Sequence, residues 1–225
     1  MMDLQGFGEQ IALGAVTTLH VAITSLALGS AVGLCGALAK LGPNRCLNRL
    51  AAGYTTIIRG VPELLIILIL YFGGTVALTA ICGRYVEVDA FSAGIFSLTI
   101  VFGAYATEVF RAAILAVPGG QIEAAKALGL TKLLVWRLVI IPQMWRYALP
   151  GLGNQWLTLL KDTALISVVG LEDLMRKTSV AAGSTHDPLT FYSIAAGLYL
   201  SFTSVSLVGL ALLEWHASRG VRIAK

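Results

Sequence analysis

A chain of 225 residues with 57 % hydrophobic content and a mean hydropathy of +0.82 is no ordinary water-soluble domain. Its charged fraction of 12 % is about half of the roughly 25 % usual for such domains. A net charge of +4 could suit a nucleic-acid binder, but the cations fall in alternate connections between apolar stretches, which argues against nucleic acid as a partner.

Crossing a bilayer takes about 20 mostly apolar residues. Residues 10–39, 64–83, 90–107 and 188–213 contain no Asp, Glu, Lys or Arg, and a fifth window is interrupted by Arg146 and by Lys161–Asp162. The pattern predicts an all-α membrane protein of five spanning helices, near 11–38, 52–80, 90–116, 146–169 and 189–213, in a single domain covering 1–225. The first basic residue is Lys40, so the opening apolar stretch reads as a retained helix and not as a cleaved leader.

The first span carries Gly29 and Gly33 in G-x-x-x-G spacing, which permits close helix approach within the bundle or at a dimer seam. In the second, Pro62 predicts a kink, and Glu63 follows it. Glu108 and Arg111 in the third lie three apart and can neutralise each other, and Tyr105 precedes Glu108 by a turn. The inner connection, 117–142, reads unlike the rest. Pro118, Gly119 and Gly120 end the span, Gln121–Leu128 favours helix, and Gly129 sits where a left-handed terminal residue belongs. So short a helix needs a partner to hold it, and Ala124, Ala125 and Ala127 would let one come close. A helix lying on the lipid headgroups is the other reading. The stretch that follows reads as a second, amphipathic helix ending at Pro142.

In the fourth span Gly151, Asn154 or Gln155, Thr158 and Asp162 recur at helical spacing on one face. Ionisable residues inside a bilayer are expensive and usually face the bundle. Glu63, Tyr105, Glu108, Asn154, Thr158 and Asp162 are therefore the candidates for lining a substrate path, with helix-to-helix pairing as the structural alternative. The outer connection, 170–188, is polar and partly helical from Leu171 to Lys177. Twelve Lys and Arg residues flank the first and third links and form the tail (Arg219, Arg222, Lys225), against three (Arg84, Arg176, Lys177) on the other side. That bias places the tail in the cytoplasm and the N-terminus outside. Cys35, Cys46 and Cys82 form no C-x-x-C pair, His20, His186 and His216 are scattered, and no phosphate-loop motif occurs. No metal site and no ATP site of the chain's own is expected.

Glu123-Ala124-Ala125, three residues, Gly129, nine residues and then Val139-Ile140-Ile141-Pro142 resembles the EAA loop of the membrane subunits of bacterial ATP-binding-cassette importers. Val139 and Ile141 stand where that pattern has Ile and Leu. Residues 55–73, 103–130 and 142–175 are similar to the permeases for polar amino acids, within them the histidine, arginine and octopine type. The resemblance implies a type I importer permease in the bacterial inner membrane, with Glu123, Ala124, Ala125, Leu128 and Gly129 forming the element that fits an ATPase subunit. It also implies three kinds of partner: a pair of ATP-binding subunits holding ATP and Mg, a second permease chain (a copy or a similar subunit), and a periplasmic binding protein. No cofactor and no catalysis are expected in this chain. An acid at Glu63 resembles the members that carry histidine or arginine, so a basic amino acid or an opine is the implied substrate. An ion-gradient-driven transporter using Asp162 or Glu108 is the alternative.

Overall fold

The computed structural model describes residues 6–218. The basic tail residues Arg219, Arg222 and Lys225, used above to orient the chain, lie outside the described residues.

Among the described residues nine α-helices follow in chain order: α1 (Gly8–Leu41), α2 (Arg45–Gly60), α3 (Glu63–Cys82), α4 (Ala90–Leu115), α5 (Gly119–Ala127), α6 (Lys132–Val135), α7 (Ile141–Ile166), α8 (Leu174–Thr185) and α9 (Pro188–Ser218). A π-helical stretch, Trp136–Ile140, joins α6 to α7, and a 3-10 turn, Ser167–Val169, follows α7. By length and hydropathy α1, α3, α4 and α9 can each cross a membrane. α7 has 26 residues, about 39 Å at 1.5 Å per residue, and runs between α4 and α9.

Close contacts fix the directions. Gly29, Gly33 and Gly36 meet Phe102, Ala106 and Thr107 in that order, so α1 and α4 are parallel. Gly94 meets Ile166 and Gly151 meets Val109, so α7 runs against α4. Trp156 Nε1 donates to Ser206 Oγ at 2.9 Å and Arg146 Nε to the Ala217 carbonyl at 2.7 Å, so α9 runs against α7. The glycine stripe of α1 is thus a seam within the chain: a Cβ on Gly33 would lie 2.5 Å from the Ala106 Cβ. The main core fills the space between α1, α4 and α7 with Val21, Leu98, Phe102, Phe110 and Ile166, all nearly inaccessible. α3 and α9 leave most of their apolar surface uncovered, as lipid or a second subunit would require.

Three sequence expectations are corrected. The second span, expected over 52–80, is two helices separated at Val61 and Pro62, which are both extended. The ring of Pro62 disfavours helical backbone at Val61, so a kink becomes a break, and Pro62 stands as the N-cap of α3. The second amphipathic helix does not end at Pro142. α6, the π stretch and α7 are continuous, and the Ile141 N–H bonds to the Trp136 carbonyl five residues back. Pro142 offers no N–H and its ring would strike the carbonyl four residues earlier. The widened π turn makes room for it. The outer helix runs Leu174–Thr185 and not Leu171–Lys177, because Asp173 caps it by accepting from the Arg176 N–H at 2.9 Å.

Candidate functional site

Two places on the chain concentrate polar chemistry. The first is built where α3 begins. The break at Val61–Pro62 turns Glu63 into the first residue of α3, beside the middle of α4. Tyr105 Oη on α4 donates to Glu63 Oε1 at 3.1 Å, and the Arg59 guanidinium rests over the Tyr105 ring, 5.4 Å from its centroid, within cation–π range. On the other side α7 brings Gln155, Thr158 and Asp162 against Tyr105, Val101 and Phe102. The cleft between them measures about 10 Å³, room for about one water. Glu63 and Asp162 each stand within electrostatic reach of Tyr105 and of one another. Two carboxylates therefore lie close to one phenol where α3, α4 and α7 meet: Glu63 bonded to the Tyr105 hydroxyl and Asp162 lining the cleft beside the same ring. That arrangement suits a cation with further donors, such as a guanidinium or an imidazolium.

Four of the residues nominated from the sequence, Glu63, Tyr105, Thr158 and Asp162, thus lie at this junction. Asn154 is exposed one turn from Thr158, whose Oγ1 donates to its carbonyl at 3.2 Å, and Gln155 lines the cleft instead. Glu108 stands apart. Its Oε2 accepts from Arg111 Nε at 3.0 Å, as their spacing predicted, and its Oε1 pairs with Lys40. Lys40 Nζ also donates to Thr55 Oγ1 at 2.6 Å. Sequence reasoning missed Lys40, 68 positions away, and Arg59, whose only sequence signal was its place three residues before Pro62.

The second place is the inner connection. α5 closes with a paired terminal motif: the Leu130 N–H bonds to the Ala125 carbonyl at 3.2 Å and the Gly129 N–H to the Lys126 carbonyl at 2.9 Å. Gly129 has φ +78°, left-handed backbone that glycine adopts without strain. Gly119 and Gly120, expected to end the preceding span, form the first turn of α5, with Pro118 before them. Ala125 is only 5 % exposed and packs with Val117, Val135 and Ile140 of its own chain. The expectation that Ala125 offers itself to a partner is therefore corrected: it docks the helix on its own protein. The outward face carries Glu123, Ala124, Ala127 and Leu128, the last 82 % exposed. Gln143 Nε2 bonds to Gln121 Oε1 at 2.6 Å and fastens α5 to the start of α7.

The chain is similar to known proteins over nearly its whole length. The family described as "Binding-protein-dependent transport system inner membrane component" matches residues 11–219. The histidine/lysine/arginine/ornithine transport system permease protein HisQ of Escherichia coli is 44 % identical over 225 residues, covering 98 % of this chain and 99 % of that one. The nopaline transport system permease protein NocQ of Agrobacterium fabrum is 48 % identical over 223 residues, with 96 % and 94 % covered. A solved structure described as an amino acid ABC transporter with histidines superimposes with a TM-score of 0.83 at 33 % identity, over 96 % of this chain and 99 % of that one.

Proposed function

The chain belongs to the family of binding-protein-dependent transport system inner membrane components, and from that premise we propose that it is the permease subunit of an ATP-driven importer for a basic amino acid or an opine. The observation that carries the substrate class is the meeting of Glu63 and Asp162 around Tyr105 at the junction of α3, α4 and α7. Similarity to permeases of histidine, lysine, arginine, ornithine and nopaline transport systems supports it. The alternative of an ion-gradient-driven transporter has no support among these relatives.

The chain itself binds and gates, and hydrolysis of ATP belongs to a separate subunit that grips the outward face of α5. A periplasmic binding protein delivers substrate to the opposite side, and a second permease, a copy or a similar subunit, completes the path. The cations Lys40, Arg111, Lys126, Lys132, Arg137 and Arg146 gather at the α5 end, which supports a cytoplasmic position for it. Motion then has a mechanical route. α5 is locked to α7 through Gln121–Gln143 and the Ala125 cluster, and α7 continues to Asp162, 19 residues beyond Gln143, or about 28 Å along one helix. Displacement of α5 moves Asp162 relative to Glu63 and Tyr105, opening a cleft that is closed in the conformation described.

The test is uptake by proteoliposomes containing the assembled complex. Substrate entry should require ATP, and Glu63→Gln or Asp162→Asn should cut uptake of cationic amino acids by at least about tenfold, the factor corresponding to roughly 1.4 kcal/mol. Undiminished uptake by both variants would contradict the assigned role of the two carboxylates.

A further inference from the structure

Beside the Tyr105 cleft, and sharing Arg59 with it, a separate cavity of about 630 Å³ opens between α1, α2 and α4. Its walls carry three cations, Lys40, Arg59 and Arg111, against one carboxylate, Glu108. Both oxygens of that carboxylate are already engaged, one by Lys40 and the other by Arg111. The cluster therefore holds two positive charges in excess. Arg59 forms no ion pair among the described residues, and its guanidinium rests on the face of Tyr105. Lys40 is only 12 % exposed and is balanced by Glu108, so the excess positive charge rests on Arg59 and Arg111, which stay reachable from water and attract counter-ions. Thr55 and Thr56 add hydroxyl groups to the wall.

Arginine's planar fork matches a carboxylate or phosphate in two parallel hydrogen bonds. We infer that this cavity is an oxyanion-binding site, taking a carboxylate or phosphate group between Arg59, Arg111 and Lys40. Its chemistry is opposite to that of the neighbouring cleft, where two acids await a cation. The cavity is large enough to hold such a group together with what it is attached to. Two sources can supply the oxyanion: the α-carboxylate of an amino acid leaving the cleft, which rests on the function proposed above, or the phosphate of an anionic phospholipid in the surrounding leaflet.

The experiment is differential labelling of arginines by phenylglyoxal in the assembled complex, in nanodiscs of phosphatidylcholine, read peptide by peptide by mass spectrometry. Arg84, exposed in the opposite connection, is the internal control. Inorganic phosphate should slow labelling of Arg59 about threefold relative to chloride at equal ionic strength, as a millimolar site requires at a few millimolar ligand, with Arg84 unchanged. Protection of Arg59 by phosphatidylglycerol nanodiscs without phosphate assigns the site to a lipid headgroup. Stronger protection by L-arginine than by agmatine, its decarboxylated counterpart, assigns it to the carboxylate of the cargo. Unchanged labelling under all three conditions overturns the inference, as does equal protection by L-arginine and agmatine with none from phosphate or phosphatidylglycerol. Nucleotide-driven uptake by the same preparation would then leave the proposed function standing.

Discussion

Replacing Gly33 by Ala separates close packing from helix propensity in a single comparison. A Cβ at Gly33 would sit 2.5 Å from the Ala106 Cβ, 3.0 Å from the Ala106 carbonyl carbon and 3.1 Å from the Thr107 nitrogen. Carbon atoms in contact prefer about 3.5–4.0 Å, so the shortfall is about 1 Å. The opposing atoms are backbone or fixed to it, and no rotamer change relieves them. α1 must move away from α4 along a seam that also holds Gly29 and Gly36, and such overpacking costs about 1–3 kcal/mol. Gly53, in α2, has nothing within 4 Å of an added Cβ. Both changes gain about 1 kcal/mol of helix propensity, which cancels in the difference. Gly33→Ala should therefore be less stable than Gly53→Ala by about 1–3 kcal/mol, read from the denaturation midpoint in mixed micelles. Equal midpoints, or a more stable Gly33→Ala, would refute the seam.

Asp173 caps α8 through one oxygen, while its other is buried with no hydrogen-bond partner among the described residues, and burial pushes its carboxyl up to about 6. Because the folded value lies above the ordinary 3.8, its contribution is complete below about pH 4 and is lost as pH rises through 6, a cost of about 3 kcal/mol for some two units. Asp173→Asn keeps the cap, so its unfolding midpoint should be flat between pH 4 and 7, where the parent's declines; parallel pH curves would count against this. Tyr105→Phe deletes the 3.1 Å hydrogen bond to Glu63, a loss of about 0.5–1.5 kcal/mol, and should raise the KM for uptake several-fold. An unchanged KM would remove Tyr105 from the path. Glu108→Gln leaves Lys40 and Arg111 unbalanced and should lower stability by about 1–3 kcal/mol, less than a fully buried pair because the partners are partly exposed. Lys40→Met in the same chain should recover part of the loss, and no recovery would mean the pair does not act as described.

The four apolar spans and the short helix α5 were legible because each rests on local signals: uncharged windows, a helix-forming run, and Gly129 at a left-handed position. The expected fifth span is the helix α7, whose charges keep it from standing out by hydropathy. Glu63, Tyr105, Thr158 and Asp162 could be nominated because charge and helical spacing inside apolar stretches are visible in one dimension. Long-range pairing was not legible. Lys40 and Glu108 meet because the Gly33–Ala106 contact sets the register of α1 on α4, which no local pattern reports. The break before α3 was underestimated because Pro62 acts on Val61 through sterics, whereas the hydropathy of 52–80 continues across it. Likewise Pro142 looked like a terminus, yet a π turn carries the helix past it. Ala125 was assigned to the wrong face because three alanines in seven residues have no polarity to orient them, and only packing against Val117, Val135 and Ile140 decides.

If the outward face of α5 transmits the work of a separate ATPase, as proposed, then Leu128, 82 % exposed, is the position at which to break that link without disturbing the chain's own core. The measurement is mild-detergent purification of the tagged chain carrying Leu128→Asp, with the copurifying ATPase quantified and the permease's unfolding midpoint taken on the same sample. A permease of unchanged stability that has lost its ATPase, together with nucleotide-driven uptake, is the predicted result. A Leu128→Asp chain that keeps its ATPase and full uptake would contradict a coupling role for α5, as would a parent chain that purifies alone and moves substrate without nucleotide.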